Sequence, residues 1–144
     1  MKITDAFLGE HGAIYPLLDR LEEAGSAAAE DTRIRARLLD ATIVSHAHLE
    51  DETLFAALEA HLGSELGPVA IMRQEHEEIE ATLARLTEVV SDGEAAQLAA
   101  HLVRTAREHF AKEEQVLFPM AEQILGADGL ERLGEEWARR RLGA

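Results

Sequence analysis

A histidine and a glutamate, His109 and Glu113, lie four residues apart in a segment with a helical pattern of apolar residues. Residues at three- and four-residue steps share one face of a helix. The face that carries this pair also carries a mostly apolar stripe: Leu98, Leu102, Thr105, Val116 and Met120. Such a face points into a core, where an ionised carboxylate is costly unless a cation accompanies it. A metal ion held by His109 and Glu113 would supply that cation.

The same His-x-x-x-Glu motif occurs a second time, 63 residues earlier in the chain. Residues 46–55 align with residues 109–118 without a gap. The matched pairs are His46 with His109, Glu50 with Glu113, and Asp51 with Glu114. A single motif of this kind arises by chance on exposed helices, whereas a duplicated one is a strong indication of a site.

A second internal match, at an offset of 65 residues, places one further histidine in each half of the chain. It aligns Glu10-His11 with Glu75-His76, together with the apolar positions that follow. Each half is thus interpreted as a helical hairpin with a histidine on its first helix and a His-x-x-x-Glu on its second. The candidate ligands, four imidazoles and two carboxylates, suit two metal ions. They are His11, His46, Glu50, His76, His109 and Glu113.

Length, charge and composition exclude several classes of function. The chain has 144 residues, enough for one domain, and a formal net charge of −14. Nucleic acids and anionic membranes bind basic patches, so neither is an expected partner. No apolar run approaches the ~20 residues that span a bilayer, and the N-terminus lacks a signal-peptide pattern. Without cysteine, a thiolate zinc site, a disulfide or a thiol nucleophile is impossible. We expect a cytoplasmic protein.

Four long amphipathic segments joined by short turns predict an all-α, up-down-up-down four-helix bundle. Turns are expected at residues 25–29, 63–68 and 91–93. We expect the bundle to occupy residues 1–126, and a short C-terminal fifth helix in residues 127–144 to pack on it. Antiparallel helices rise equally per residue, so counting from the first and third turns places the candidate ligands in one layer. Counting from the middle turn agrees less well, because Glu50 lies about one helical turn farther from that turn than His76 does.

The doubled His-x-x-x-Glu, each copy trailed by Leu-Phe and preceded by one histidine on the helix before, resembles the hemerythrin-like family. The bacterial cation-binding branch of that family is the most similar, over about residues 5–120. The resemblance implies a non-haem di-iron centre in which both carboxylates and an oxo or hydroxo group bridge the irons. It also implies an open position on one iron for dioxygen, nitric oxide or a related small molecule. The implied function is to bind, sense or carry that molecule.

The sequence departs from the oxygen-carrying hemerythrins on its third helix. Those proteins have His-x-x-x-His there, whereas the residue four after His76 is Glu80. Glu80 is therefore a further candidate ligand, and reversible oxygen carriage is in question. The alternative function is a di-iron enzyme that disproportionates peroxide or oxidises ferrous iron, and the sequence does not decide between the two. A metal-free bundle is disfavoured because Glu50 and Glu113 would lie buried and unpaired. A structural-zinc bundle is disfavoured because zinc usually takes fewer ligands than the six offered here.

The remaining histidines fit structural roles. His48 and Glu52 form another His-x-x-x-Glu, but they break the repeat and point to the opposite side of their helix from the repeated pair. We therefore expect them on a solvated face. His61 near a helix end and His101 beside the apolar stripe are expected to be structural as well. Tyr15 lies one turn after His11 and is a candidate for indirect support of the ligands.

Overall fold

The computed structural model describes residues 1–24, 28–63 and 67–143, and within these ranges all regular structure is helical. The α-helices are α1 (Ile3–Ala24), α2 (Ala29–Glu50), α3 (Ala56–Leu62), α4 (Pro68–Leu86), α5 (Asp92–Lys112) and α6 (Phe118–Leu142). Two π-helical turns, π1 (Asp51–Phe55) and π2 (Glu113–Leu117), join α2 to α3 and α5 to α6. The described chain therefore forms four long helical rods, as the sequence predicts. None of its described helices has the length and apolarity needed to cross a membrane.

The ends of the helices agree in part with the expected turns. At the third turn, the chain leaves α4 after Leu86, and Ser91 caps the start of α5 by accepting a hydrogen bond from the backbone N–H of Glu94 at 3.4 Å. Gly63 ends α3 with φ +81°, and Pro68 is the first residue of α4. The expected turn residues 25–27 and 64–66 lie outside the described part of the chain.

Two apolar clusters form the core, and the candidate ligands lie between them. The first cluster contains the later part of α1, the earlier part of α2, the later part of α4 and most of α5. The second contains the start of α1, the end of α2, the start of α4, both π-turns and part of α6. A fully buried Leu, Ile or Phe contributes about 1.5–3 kcal/mol relative to an exposed one. Packing within these clusters sets the position of each helix along its axis relative to its neighbours. It therefore brings the candidate ligands of different helices to the same level.

The π-turns change which residues face the core. A π-helical turn closes i→i+5 hydrogen bonds and holds an extra residue, so the apolar stripe shifts by one position after it. Val116 was expected on the core-facing stripe, but its side chain is 59% exposed, while Leu117 and Ala121 are buried. The expectation for Val116 is therefore wrong. The shift begins at Glu113, the first residue of π2, and π1 begins directly after Glu50.

Gly126 interrupts α6 in a backbone conformation that is essentially restricted to glycine. Its φ of +66° and ψ of 174° are non-helical, although the residues on both sides are helical. We expect Gly126→Ala to lower the free energy of unfolding by about 1–3 kcal/mol, because a Cβ is strained there. The matched control is Gly9→Ala in α1, where an added Cβ meets nothing within 4 Å. It should raise the free energy of unfolding by about 0.5–1 kcal/mol. Urea denaturation of both variants tests this, and equal effects would contradict it.

Candidate metal centre

Four histidines and two glutamates meet in one buried layer of the fold. The helical rods contribute His11 from α1, His46 and Glu50 from α2, His76 from α4, His109 from α5 and Glu113 from π2. Each of the six residues is at most 3% exposed. The structure thus brings together all six residues singled out from the sequence.

The six side chains form two overlapping groups. One contains His11 and His46, and the other contains His76 and His109. Glu50 and Glu113 belong to both groups. Within each group, one nitrogen or oxygen atom per residue lies within 4.8 Å of all the others. Two carboxylates are thus shared between two pairs of imidazoles.

Each of the four histidines in the cluster turns its Nε2 atom towards the shared carboxylates. Glu113 Oε1 lies 2.8 Å from His109 Nε2, and its Oε2 lies 3.1 Å from His11 Nε2. Glu50 Oε2 lies 3.3 Å from His46 Nε2 and 3.4 Å from His76 Nε2. The atoms that could bind metal therefore converge on one small volume.

Several of these atoms are buried without a hydrogen-bond partner. Both carboxylate oxygens of Glu50 and of Glu113 are in this state, as are the Nε2 atoms of His76 and His109. Buried polar atoms are almost always satisfied in folded proteins, and buried charge in particular needs a partner. Imidazole and carboxylate are ligands that transition-metal ions accept. The donor set fits a metal site.

The other ring nitrogen of each histidine, Nδ1, faces a further carboxylate. The distances are 2.9 Å from His11 to Glu114 Oε1, 2.6 Å from His46 to Glu10 Oε2, 3.0 Å from His76 to Asp51 Oδ1, and 3.7 Å from His109 to Glu75 Oε1. The first three are hydrogen bonds, and the fourth is a looser ion-pair contact. A carboxylate that accepts the Nδ1–H leaves the Nε2 lone pair free for a metal ion and fixes the ring orientation.

These four outer carboxylates were missed as functional residues by the sequence reasoning. Each carboxylate contacts a histidine on another helix, so sequence spacing alone does not pair them. A signal was nevertheless present, because Glu10 aligns with Glu75 and Asp51 with Glu114 in the two internal matches. The repeat therefore extends to the residues around the ligands.

A third layer of side chains donates to the outer carboxylates. Tyr15 O–H donates to Glu114 Oε1 at 2.8 Å, and Arg73 Nη1 lies 3.2 Å from Asp51 Oδ1. Lys112 Nζ lies 2.6 Å from Glu75 Oε2, and Glu10 accepts from Trp137 and Arg141. Tyr15 thus contacts the site indirectly. The cationic donors offset part of the negative charge that the carboxylates concentrate around the site.

Protons balance the charge of the site when no metal is bound. Burial alone would lower the pKa of His46, but the charge of Glu50 and the hydrogen bond to Glu10 raise that pKa to about 10. Burial acts likewise on His76, but its hydrogen bond to Asp51 and the negative charge of Glu50 raise its pKa to about 11. Both imidazoles are therefore protonated at neutral pH in the metal-free protein.

Metal uptake at pH 7 should release protons. A metal ion binds neutral imidazole, so His46 and His76, with pKa values of about 10 and 11 in the metal-free protein, must each lose a proton when they become ligands. Apparent metal affinity should accordingly fall as the pH is lowered. Calorimetric titration with a divalent metal in two buffers of different ionisation enthalpy measures the number of protons released. Heats that do not depend on the buffer would contradict this expectation.

The remaining candidates lie outside the six-residue cluster. The structure does not bring Glu80 to it, since Glu80 Oε1 lies 3.0 Å from Nε2 of the exposed His48. Glu52 is also exposed and pairs with Arg140. His61 Nδ1–H donates to the carbonyl of Ala57 at 3.1 Å, and His101 pairs with Glu78 at 2.9 Å. His48 and Glu52 thus lie on a solvated face, as expected.

Comparison with known proteins gives one result. A family model described as the hemerythrin HHE cation-binding domain matches residues 2–121 and, in a second match, residues 68–137. The second match begins at Pro68, the first residue of α4, where the second half of the internal repeat begins. No curated protein and no solved structure matches the chain.

Proposed function

The chain belongs to the hemerythrin HHE cation-binding domain family, and we propose that it holds two iron ions at which it binds, senses or carries dioxygen or nitric oxide. The observation that carries the proposal is the sharing of Glu50 and Glu113 between two pairs of histidines. A single shared carboxylate would be compatible with one metal ion as well as with two. Two shared carboxylates, with oxygens that no hydrogen bond satisfies, favour a pair of bridged cations.

The number of ligands supports an open metal centre. Each group offers two imidazoles and two shared carboxylates, fewer than the roughly six donors that iron accepts in octahedral sites. When bound, the two irons would supply one-electron redox chemistry and free positions for an oxo or hydroxo bridge and a small molecule. The chain itself supplies fixed Nε2 lone pairs and a buried, preorganised set of ligands.

The surroundings of the histidines favour a small neutral ligand. The ring centroid of Phe110 lies 4.2 Å from that of His11, and Phe118 stacks on His11 at 5.7 Å. Phe55 stacks on His76 at 5.2 Å, and Phe7 meets His46 edge-on at 5.3 Å. These aromatic walls exclude water and charged solutes, because an ion loses its hydration on entering apolar surroundings. Dioxygen and nitric oxide carry no such penalty.

The orientation of Glu80 favours the enzyme alternative as the second candidate. Oxygen-carrying hemerythrins place a second histidine at that point of the third helix, whereas Glu80 faces His48 instead. Both irons would then have equivalent protein ligands and additional free positions, which suits turnover of peroxide or ferrous iron. We expect Glu80→Ala to retain two irons per chain, as measured by elemental analysis. Loss of one iron would identify Glu80 as a ligand.

The order of the core clusters supports an up-down-up-down bundle. On α1 and α4 the cluster containing Phe7 and Met72 comes first along the chain, whereas on α2 and α5 the cluster containing Leu39 and Leu102 comes first. This order is the one that alternating directions of the four rods would give. After Gly126, α6 continues to Leu142, and we propose that this part is the C-terminal helix that packs on the bundle of residues 1–126.

Anaerobic loading with ferrous iron tests the proposed function. We expect two irons per chain by elemental analysis, and a near-ultraviolet and visible charge-transfer spectrum after exposure to dioxygen. Titration with dioxygen, nitric oxide and peroxide then separates the two candidates. Stoichiometric binding of a diatomic molecule supports the carrier or sensor, and catalytic loss of peroxide supports the enzyme. One zinc per chain, or no metal, would overturn both.

A further inference from the structure

We propose that Trp137 and Arg141 position the ligand His46 through Glu10, so that the C-terminal part of α6 is a working part of the metal centre. The inference rests on the proposed function only in taking His46 as a metal ligand. It assigns a role to residues that lie outside the duplicated hairpins. Neither Trp137 nor Arg141 forms a hydrogen bond or ion pair with the six-residue cluster; their polar partners are Glu10 and Ser45, and both are positioning residues.

Both carboxylate oxygens of Glu10 are engaged. Oε1 accepts from Trp137 Nε1 at 2.7 Å and from Arg141 Nε at 2.8 Å. Oε2 lies 2.6 Å from His46 Nδ1 and 3.4 Å from Arg141 Nη2. A carboxylate fixed at both oxygens cannot rotate without losing hydrogen bonds, so it holds the imidazole plane of His46 in one orientation.

Arg141 also fastens the backbone next to the ligand. Its Nη2 donates to the carbonyl oxygen of Ser45 at 3.0 Å, and its Nη1 donates to the Ser45 hydroxyl. Ser45 directly precedes His46. One guanidinium therefore connects Glu10 on α1 with the residue before His46 on α2. It also lines a cavity of about 190 Å³ that reaches Glu10 and His46, so its loss would open both side chains to water.

The internal repeat shows why the side chains that hold Glu10 come from outside the two hairpins. In the second half of the chain, Glu75 is held by Lys112, three residues after His109. The position that aligns with Lys112 in the first half is Leu49, an apolar residue that is 5% exposed. The first half therefore has no cationic side chain at the position that corresponds to Lys112. Arg141 provides one from α6.

The C-terminal part of α6 is firmly packed in the position that this role requires. Leu130 is fully buried, and Leu133 and Trp137 pack against the cluster that contains Ile3. At Gly134 the helix approaches the N-terminus so closely that an added Cβ would clash with the carbonyl oxygen of Met1. Trp137 and Arg141 are thus presented to Glu10 by a fixed surface.

Titration of the metal-free full-length protein with Co²⁺, followed by the absorption of the bound ion, tests the proposal. The variants are Trp137→Phe, Arg141→Gln and the double variant. Arg140→Gln is the matched control, because Arg140 is the adjacent residue and pairs instead with Glu52 and Glu136. In Arg141→Gln, the fluorescence of Trp137, the only tryptophan, reports whether the C-terminal segment stays docked. Thermal unfolding of each metal-free variant measures any general loss of stability.

We expect the double variant to bind one of two Co²⁺ ions about 10–100-fold more weakly, with a changed absorption spectrum. The second ion and the Arg140→Gln control should be unaffected. Unchanged binding in the double variant would overturn this inference and leave the proposed function intact. Equal weakening of both ions, in proportion to a loss of thermal stability, would also overturn it, since the segment would then be merely structural. Absence of Co²⁺ binding in the unaltered protein would overturn both proposals.

Discussion

Glu50→Ala should abolish the binding of both metal ions rather than one. The carboxylate belongs to both groups of ligands, and it is fully buried with neither oxygen hydrogen-bonded. Without it, each ion would lose a ligand and the bridge to its neighbour. A ligand present at 1,000 times its dissociation constant stabilises the folded state by about 4 kcal/mol. We therefore expect iron to raise the melting temperature of the unaltered protein and to leave that of Glu50→Ala unchanged.

The control for this variant lies two residues further along the same rod. Glu52 is an exposed glutamate paired with Arg140, and Glu52→Ala should bind two irons. The same contrast applies to His46→Ala, which should lose at least one iron, and His48→Ala, which should lose none. Elemental analysis of the purified variants measures the number of irons bound per chain. If His48 and Glu52 proved necessary and His46 and Glu50 did not, the argument from the internal repeat would be wrong.

The candidate ligands could be identified from the sequence because their geometry is largely local. A His-x-x-x-Glu places both side chains on one helical face whatever the rest of the fold does. The buried positions of Glu50 and Glu113 on apolar stripes then indicate a cation. Four long helices followed from the same periodicity. These inferences require only the three- and four-residue periodicity of a helix, which is visible in the sequence.

The contacts between the histidines and the surrounding carboxylates depend on packing between helices. They were therefore not predicted from the sequence. Glu10 on the first rod contacts His46 on the second, and Asp51 on the second rod contacts His76 on the third. Their pairing depends on the rotation of each helix about its axis, which apolar periodicity defines only within a fraction of a turn. The π-turns add to this uncertainty, because an i→i+5 turn shifts the apolar stripe by one position after it. The exposed Val116 shows the consequence.

The internal repeat also breaks at one position that matters for packing. Phe110 aligns with Ala47, so only the second hairpin carries a large side chain directly after its ligand histidine. The Phe110 side chain is 1% exposed. Its ring centroid lies 4.2 Å from that of His11, 5.6 Å from that of His109 and 5.8 Å from that of His46. Phe110 therefore fills the space beside three of the four histidines.

Phe110→Ala should lower the free energy of unfolding of the metal-free protein by about 3–5 kcal/mol, because it removes a buried ring and leaves a cavity. The six candidate ligands remain, so we expect the folded variant still to bind two irons. Water admitted to the cavity should let a chelator remove them faster. The control is Val116→Ala, since Val116 is 59% exposed and should change stability by no more than about 0.5 kcal/mol. Urea denaturation and chelator kinetics measure both effects. A loss of less than about 1 kcal/mol in Phe110→Ala would show that the ring is not a packed wall of the metal centre.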